Sequence, residues 1–129
     1  MKKIFSFGIL GLALLSQVLL GVNSYYGVVT ATTAGTAYQV APNVTPAYTA
    51  LACLQITITA DPGNSGTLYI GMSSSVSSTN YFAALPAKGS WNSGPTGSIP
   101  NFPCQDVYIT GSVNSTKADV IILPGVISQ

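Results

Sequence analysis

Leu54-Gln55-Ile56-Thr57-Ile58-Thr59 alternates apolar and polar residues without a break, and Asp61-Pro62-Gly63-Asn64 stops it. Strict period-2 alternation belongs to an extended strand, whose successive side chains point to opposite faces. The pattern puts Leu54, Ile56 and Ile58 inward and Gln55, Thr57 and Thr59 outward. The stop is a turn by its chemistry: Pro presets φ, and Gly or Asn accepts φ > 0. Any fold for this chain has to accommodate half-buried strands of this kind.

The same grammar repeats. "GTAYQVAP" sets Tyr38 and Val40 on one face and ends at Pro42. "GTLYIG" turns Leu68 and Ile70 inward and Tyr69 outward, and its proximity to the preceding strand predicts a hairpin between the two. "YFAALPAKGSW" is a strand broken at Pro86, and "CQDVYITGSV" turns Val107 and Ile109 inward. "KADVIILPG" is the last strand; its run Val120–Leu123 is apolar on both faces, so it is either central in a sheet or covered by a partner. No helical period of useful length follows Ser24. Short alternating runs separated by Gly, Pro, Asn and Ser predict an all-β fold, a small antiparallel β-sandwich of jelly-roll or Ig-like type with about six to eight strands.

The beginning of the chain is different. Lys2 and Lys3 precede an uncharged run from Ile4 to Ser24. As a helix its strongly apolar part, residues 4–22, would span roughly 28 Å, close to the hydrocarbon thickness of a bilayer. It reads as a signal peptide with small residues at Val22-Asn23-Ser24, or as a retained membrane anchor. Both keep the lysines on the cytoplasmic side and send the body across the membrane. The expected organisation is a signal peptide or anchor over 1–24, an extended arm or linker over 25–35, and the β-sandwich over 36–129.

Charge and residue inventory exclude much chemistry. Only 5% of the 129 residues are charged, against roughly 25% in a typical soluble protein, and there is no Arg, Glu or His. General acid–base catalysis near neutrality usually needs His or a tuned Glu, and no Ser-His-Asp or Cys-His pair can be drawn. Two distant Cys and three scattered Asp make no zinc set. A net charge of +1 offers no basic footprint for nucleic acid. The expectation is a non-enzyme without cofactor or metal.

Cys53 and Cys104 are isolated from each other in sequence. They are either two buried free thiols or a disulfide, and export favours the disulfide. Such a bridge closes a loop of about 50 residues, for which chain entropy gives roughly 4 kcal/mol less any strain. Each Cys shares the outward phase of its strand, Cys53 with Gln55 and Cys104 with Asp106, which predicts a bridge at the sheet surface or at a strand end. Asn43-Val44-Thr45 and Asn114-Ser115-Thr116 match the N-glycosylation triplet, with Asn114 the better placed. Asp61, Asp106 and Asp119 are lone carboxylates without the spacing of a calcium loop. The serine run from Ser73 to Asn80 reads as a soluble turn or a glycan-facing loop. The seven tyrosines and Trp91 read as core edge, subunit interface or sugar site.

One longer stretch has the order of a known family. "LQITITADPGNSGTLYIGMSSSVSSTNYFAALPAKGSW", followed by "DVYITGSVNSTKADVIIL", resembles a small β-sandwich found in many virion and phage structural proteins. The matching parts are Gly66, Leu68 to Gly71, Ser73 to Asn80, Leu85 to Ser90 and Asp106 to Leu123, within about residues 36–124. The resemblance implies a virion component. The hydrophobic start, unusual for that family, points to a membrane-containing virion or to a cellular surface protein with the same fold. The expected role is therefore structural, through copies of itself or through capsid or surface partners, with membrane contact through residues 4–22. Tyr25, Tyr26, Val28, Val29, Ile121 and Leu123 are the candidate assembly surface. Two other readings are a surface module that binds glycans through its tyrosines, and a filament subunit whose arm after the membrane segment adds a strand to a neighbour.

Overall fold

The computed structural model describes residues 24–44, 46–94 and 100–124. The signal or anchor segment expected over 1–24 lies, apart from Ser24, outside the described residues. Among the described residues no helix is long and apolar enough to cross a membrane.

Among the described residues eight strands follow in chain order: β1 (Tyr25–Ala31), β2 (Tyr38–Gln39), β3 (Gln55–Ala60), β4 (Leu68–Gly71), β5 (Ala83–Leu85), β6 (Ser90–Asn92), β7 (Tyr108–Gly111) and β8 (Thr116–Leu123). Two short 3-10 turns, Ala41–Asn43 and Cys104–Asp106, complete the elements. The strands form two four-stranded antiparallel sheets, the first in the order β1-β8-β3-β6 and the second in the order β2-β7-β4-β5. The pairs are nested: β1 with β8, β2 with β7, β3 with β6 and β4 with β5. Only the β4–β5 connection stays within one sheet.

Alternation in the strands builds the core. Ile56, Ile58, Val120 and Ile122 of the first sheet share one hydrophobic cluster with Leu68, Ile70 and Ile109 of the second, and all seven are fully buried. Burying each such side chain stabilises the fold by about 1.5–3 kcal/mol. Trp91 and Phe102 close one flank of the cluster, and Tyr25 and Tyr48 meet edge to face at another, with centroids 4.9 Å apart.

Three expectations change here, and one open alternative is resolved. The hairpin between the second and third predicted runs does not form, because β3 and β4 belong to different sheets. Both edges of β3 are already taken by β8 and β6, so no edge remains for β4. The predicted turn chemistry survives as a crossover: Asp61 Oδ1 accepts from Gly63 N, and the Asn64 side chain makes reciprocal bonds with the Lys117 backbone at 2.7 and 2.9 Å. Residues 25–31, expected in an arm or linker, are strand β1, paired along its length with β8. The run Val120–Leu123 resolves to the central alternative, since β8 lies between β1 and β3.

The third change concerns the cysteines. Cys53 and Cys104 are disulfide-bonded, with Cα atoms 5.9 Å apart; both are fully buried, which overturns the sheet-surface alternative, while Cys53 lies just ahead of β3, near a strand end. Strand parity does not reach them. Cys53 precedes β3 and bridges Phe102, while Cys104 sits in a 3-10 turn whose side chains do not alternate.

Candidate functional site

The outer face of the first sheet is built from the polar phase of each strand. Register places the side chains in rows: Tyr26, Ile121, Thr57 and Asn92 in one, and Val28, Asp119, Thr59 and Ser90 in the next. The β3–β6 side of this face is sewn together by its own amides and hydroxyls. Asn92 Nδ2 donates to Thr57 Oγ1 at 2.6 Å, Gln55 Nε2 donates to Asn92 Oδ1 at 2.8 Å, and the Thr59 and Ser90 hydroxyls are 3.1 Å apart. On the β1–β8 side three exposed apolar residues stand among Thr30, Lys117 and Asp119. Tyr26, Val28 and Ile121 are 55%, 49% and 41% exposed. Lys117 and Asp119, of opposite sign, share the same outward phase of β8.

The six candidate assembly residues therefore divide. Tyr26, Val28 and Ile121 face solvent together, and Leu123 shares their phase but is half-buried. Val29 is buried in the core, and Tyr25 packs against it, because odd-numbered residues of β1 point inward. Those two do not belong to the surface.

β1 is also an edge. It pairs with β8 on one side, and no hydrogen bond reaches its other side among the described residues. Edge strands in soluble proteins are usually blunted by charge, proline, a bulge or shortness. Tyr25–Ala31 has seven residues and carries none of the first two.

The other sequence candidates are dispersed. Asn114 is exposed, but its Oδ1 accepts from Ala34 N at 2.9 Å. Thr116, which completes that triplet, is buried, and its hydroxyl donates to Val113 O, so modification there would have to precede folding. Asn43 is exposed in the first 3-10 turn; Thr45 lies outside the described residues. Asp61 caps its turn, Asp106 is exposed in the second 3-10 turn, and among the described residues no three Cys, Asp, Glu or His side chains gather as a metal set would.

The aromatic residues do not converge on a single surface. Tyr38 accepts from Thr33 N and bonds the Thr32 hydroxyl at 2.7 Å, contacts that hold its phenol below the ordinary tyrosine range, the Thr32 bond most of all. Tyr48 is buried and donates to Ala52 O; burial, with Tyr25 beside it, pushes its phenol up. Tyr69 and Tyr81 pair on the second sheet, and Phe82, Trp91 and Phe102 form a chain of ring contacts.

Sequence reasoning missed the role of Val76. This residue, inside the serine run, is buried against Gly71, where an added Cβ would lie 2.8 Å from Val76 Cβ. The signal was present as the one apolar residue in the run. The serines around it bond within their own loop, Ser73 to Ser75 and Ser77 to Thr79 and Asn80.

Comparison with protein-family models, with curated proteins and with solved structures found no match.

Proposed function

We propose that this chain is a structural protein that associates with copies of itself through the open edge of β1, and that it serves as a capsid- or membrane-associated component of a virion. The observation that carries the reading is the unprotected edge. A seven-residue strand without charge or proline has an outer side with no backbone partner among the described residues, and it displays Tyr26 and Val28 beside Ile121. Pairing β1 with β1 of a second copy about a two-fold axis would satisfy that row of N–H and C=O groups and bring the exposed apolar residues to the centre of a continuous eight-stranded sheet. With five charged residues from Tyr25 onward, little like-charge repulsion opposes such contact.

The finer fold assignment is part of the same proposal. Nested pairs β1·β8, β2·β7, β3·β6 and β4·β5, folded over so that β8 meets β3 and β7 meets β4, describe a hairpin wrapped into a jelly-roll sandwich. Jelly rolls serve as viral capsid and lectin domains, which agrees with the virion resemblance of residues 36–124. The Cys53–Cys104 bridge is consistent with an oxidising location, as expected for a body exported behind residues 1–24. The filament variant loses its motivation, because the segment that would have been donated to a neighbour is docked on its own sheet.

Sedimentation equilibrium of the full chain in density-matched detergent tests the association. A concentration-dependent dimer or larger species that Val28→Lys disperses is the expected result. A monomer at every concentration would refute self-assembly.

A further inference from the structure

A cleft of about 350 Å³ opens on the outer face of the second sheet, away from the β1 edge. Its floor is a cross-strand pair. Tyr69 of β4 and Thr110 of β7 are register partners, and both alternate with the core residues Ile70 and Ile109, so they point away from the core. One lip is Ala34 and Gly35, pinned by Gly35 N donating to Gly111 O at 3.1 Å and by the Asn114 contact. The other lip is Ser77 and Ser78 from the serine run. Ser112 completes the wall, and no described lining residue is charged.

Thr110 is the anomaly in this cleft. It is on the outward phase of its strand yet only 1% exposed, and its Oγ1 has no hydrogen-bond partner among the described residues. Leaving a buried hydroxyl unpaired costs about 1–3 kcal/mol, and native proteins rarely tolerate it without cause. A valine would fill the same volume without that cost. The hydroxyl is therefore explained if something absent from the free protein bonds to it.

We propose that the cleft binds a neutral polyhydroxylated ligand, a pyranose unit of a glycan. The lining chemistry selects this class. Hydroxyl side chains both donate and accept, as sugar hydroxyls do, so each can pair in either sense. A carboxylate or phosphate would find no cation here, and a purely apolar ligand would leave the Thr110 hydroxyl without a partner, whereas Ser77 and Ser112 already bond to Thr79, Asn80 and Thr67. The Tyr69 ring, braced by Tyr81 at a centroid distance of 5.0 Å, gives the C–H face of a sugar an aromatic surface to rest on. The volume is at the small end of ligand pockets and suits a single ring. Ser77 bonds to Thr79 and Asn80 within its own loop, and among the described residues no hydrogen bond ties Ser77 or Ser78 to the strands; binding to Thr110 under this proposal requires that lip to move while Val76 beside it stays packed on Gly71.

Saturation-transfer NMR on the full chain in a polyoxyethylene detergent, which carries no sugar headgroup, tests the site. The probes are the methyl glycosides of glucose, galactose, mannose and N-acetylglucosamine at millimolar concentration. At least one is expected to give saturable transfer. Thr110→Val should raise its Kd about five-fold, the worth of one hydrogen bond, while leaving Tm unchanged or higher. Tyr69→Ala should abolish the transfer. No transfer from any of the four, or transfer that both variants leave unaltered, would overturn the proposal. A Thr110→Val protein that melts lower would also overturn it, since the hydroxyl would then be serving the fold.

Discussion

Tyr26 and Ile121 stand opposite each other in the β1–β8 pair, both turned to solvent. Continuing along their row, Thr57 and Asn92 replace them with a hydroxyl and an amide that are bonded to each other. One row of one sheet thus passes from apolar to satisfied polar within four strands. In this row the exposed apolar groups lie on the β1–β8 side and the bonded polar groups on the β3–β6 side, whereas in the next row Asp119 faces Val28.

Replacing Ile121 with lysine should separate association from stability. Its side chain is outside the core, so unfolding free energy should stay within about 0.5 kcal/mol of the parent. Association should weaken, because a desolvated ammonium would enter the contact. Urea denaturation and sedimentation on the same samples check the two halves; a large loss of stability would mean that Ile121 is structural.

Ile58→Ala makes the contrasting case. Ile58 is fully buried and pairs with both Val120 and Trp91 across its strand. A truncation of this kind costs about 2–5 kcal/mol, depending on how far the site collapses. The midpoint of urea unfolding should fall accordingly.

Cys53→Ser should cost about 2–5 kcal/mol, the usual range for removing a native disulfide from a small domain. It also leaves a serine hydroxyl at a fully buried position. Alkylation of the unfolded native protein should label neither thiol without reductant and both with it.

Tyr48 predicts a loss of stability in alkali. Its folded pKa is raised, mainly by burial and then by Tyr25, so its contribution is complete below the unfolded phenol value of about 10 and is lost as pH rises through the higher folded value. Tyr38 is shifted the opposite way, and its contribution is present only above the unfolded value. Tyr48→Phe isolates the first effect. It removes the bond to Ala52, at about 1 kcal/mol near neutrality, and should flatten the fall in Tm above pH 10. An equally steep fall in the variant would show that another group carries the alkaline transition.

The strands and their inward residues were legible because period-2 alternation is a local property. Ile56, Ile58, Leu68, Ile70, Val107 and Ile109 all point where their runs predict, but Leu54, expected inward with them, is only half-buried and its neighbour Cys53 is buried instead. Sheet membership was not, because it depends on which edges are already occupied: β3 has β8 and β6 beside it, a pairing between residues more than 30 positions apart. The cysteines misled for a related reason, since parity was extended past the ends of strands into an isolated bridge and a 3-10 turn. Of the assembly candidates, alternation within β1 separates Tyr26 and Val28 from Tyr25 and Val29, a distinction that follows only once the arm is a strand of its own sheet with one face on the core. The cleft at Thr110 had no local signature, because its floor and two lips come from four distant stretches of chain.

Pairing the first strand with the last also sets an order of events. β8 is the shared neighbour of β1 and β3, so the first sheet lacks its centre until Leu123 has been made and, if the body is exported, has crossed the membrane. The row that contains Tyr26 and Ile121 does not exist before then. A chain still emerging from a ribosome or translocon has not yet assembled the sheet edge through which we propose it meets its copies, and synthesis itself thereby delays premature association.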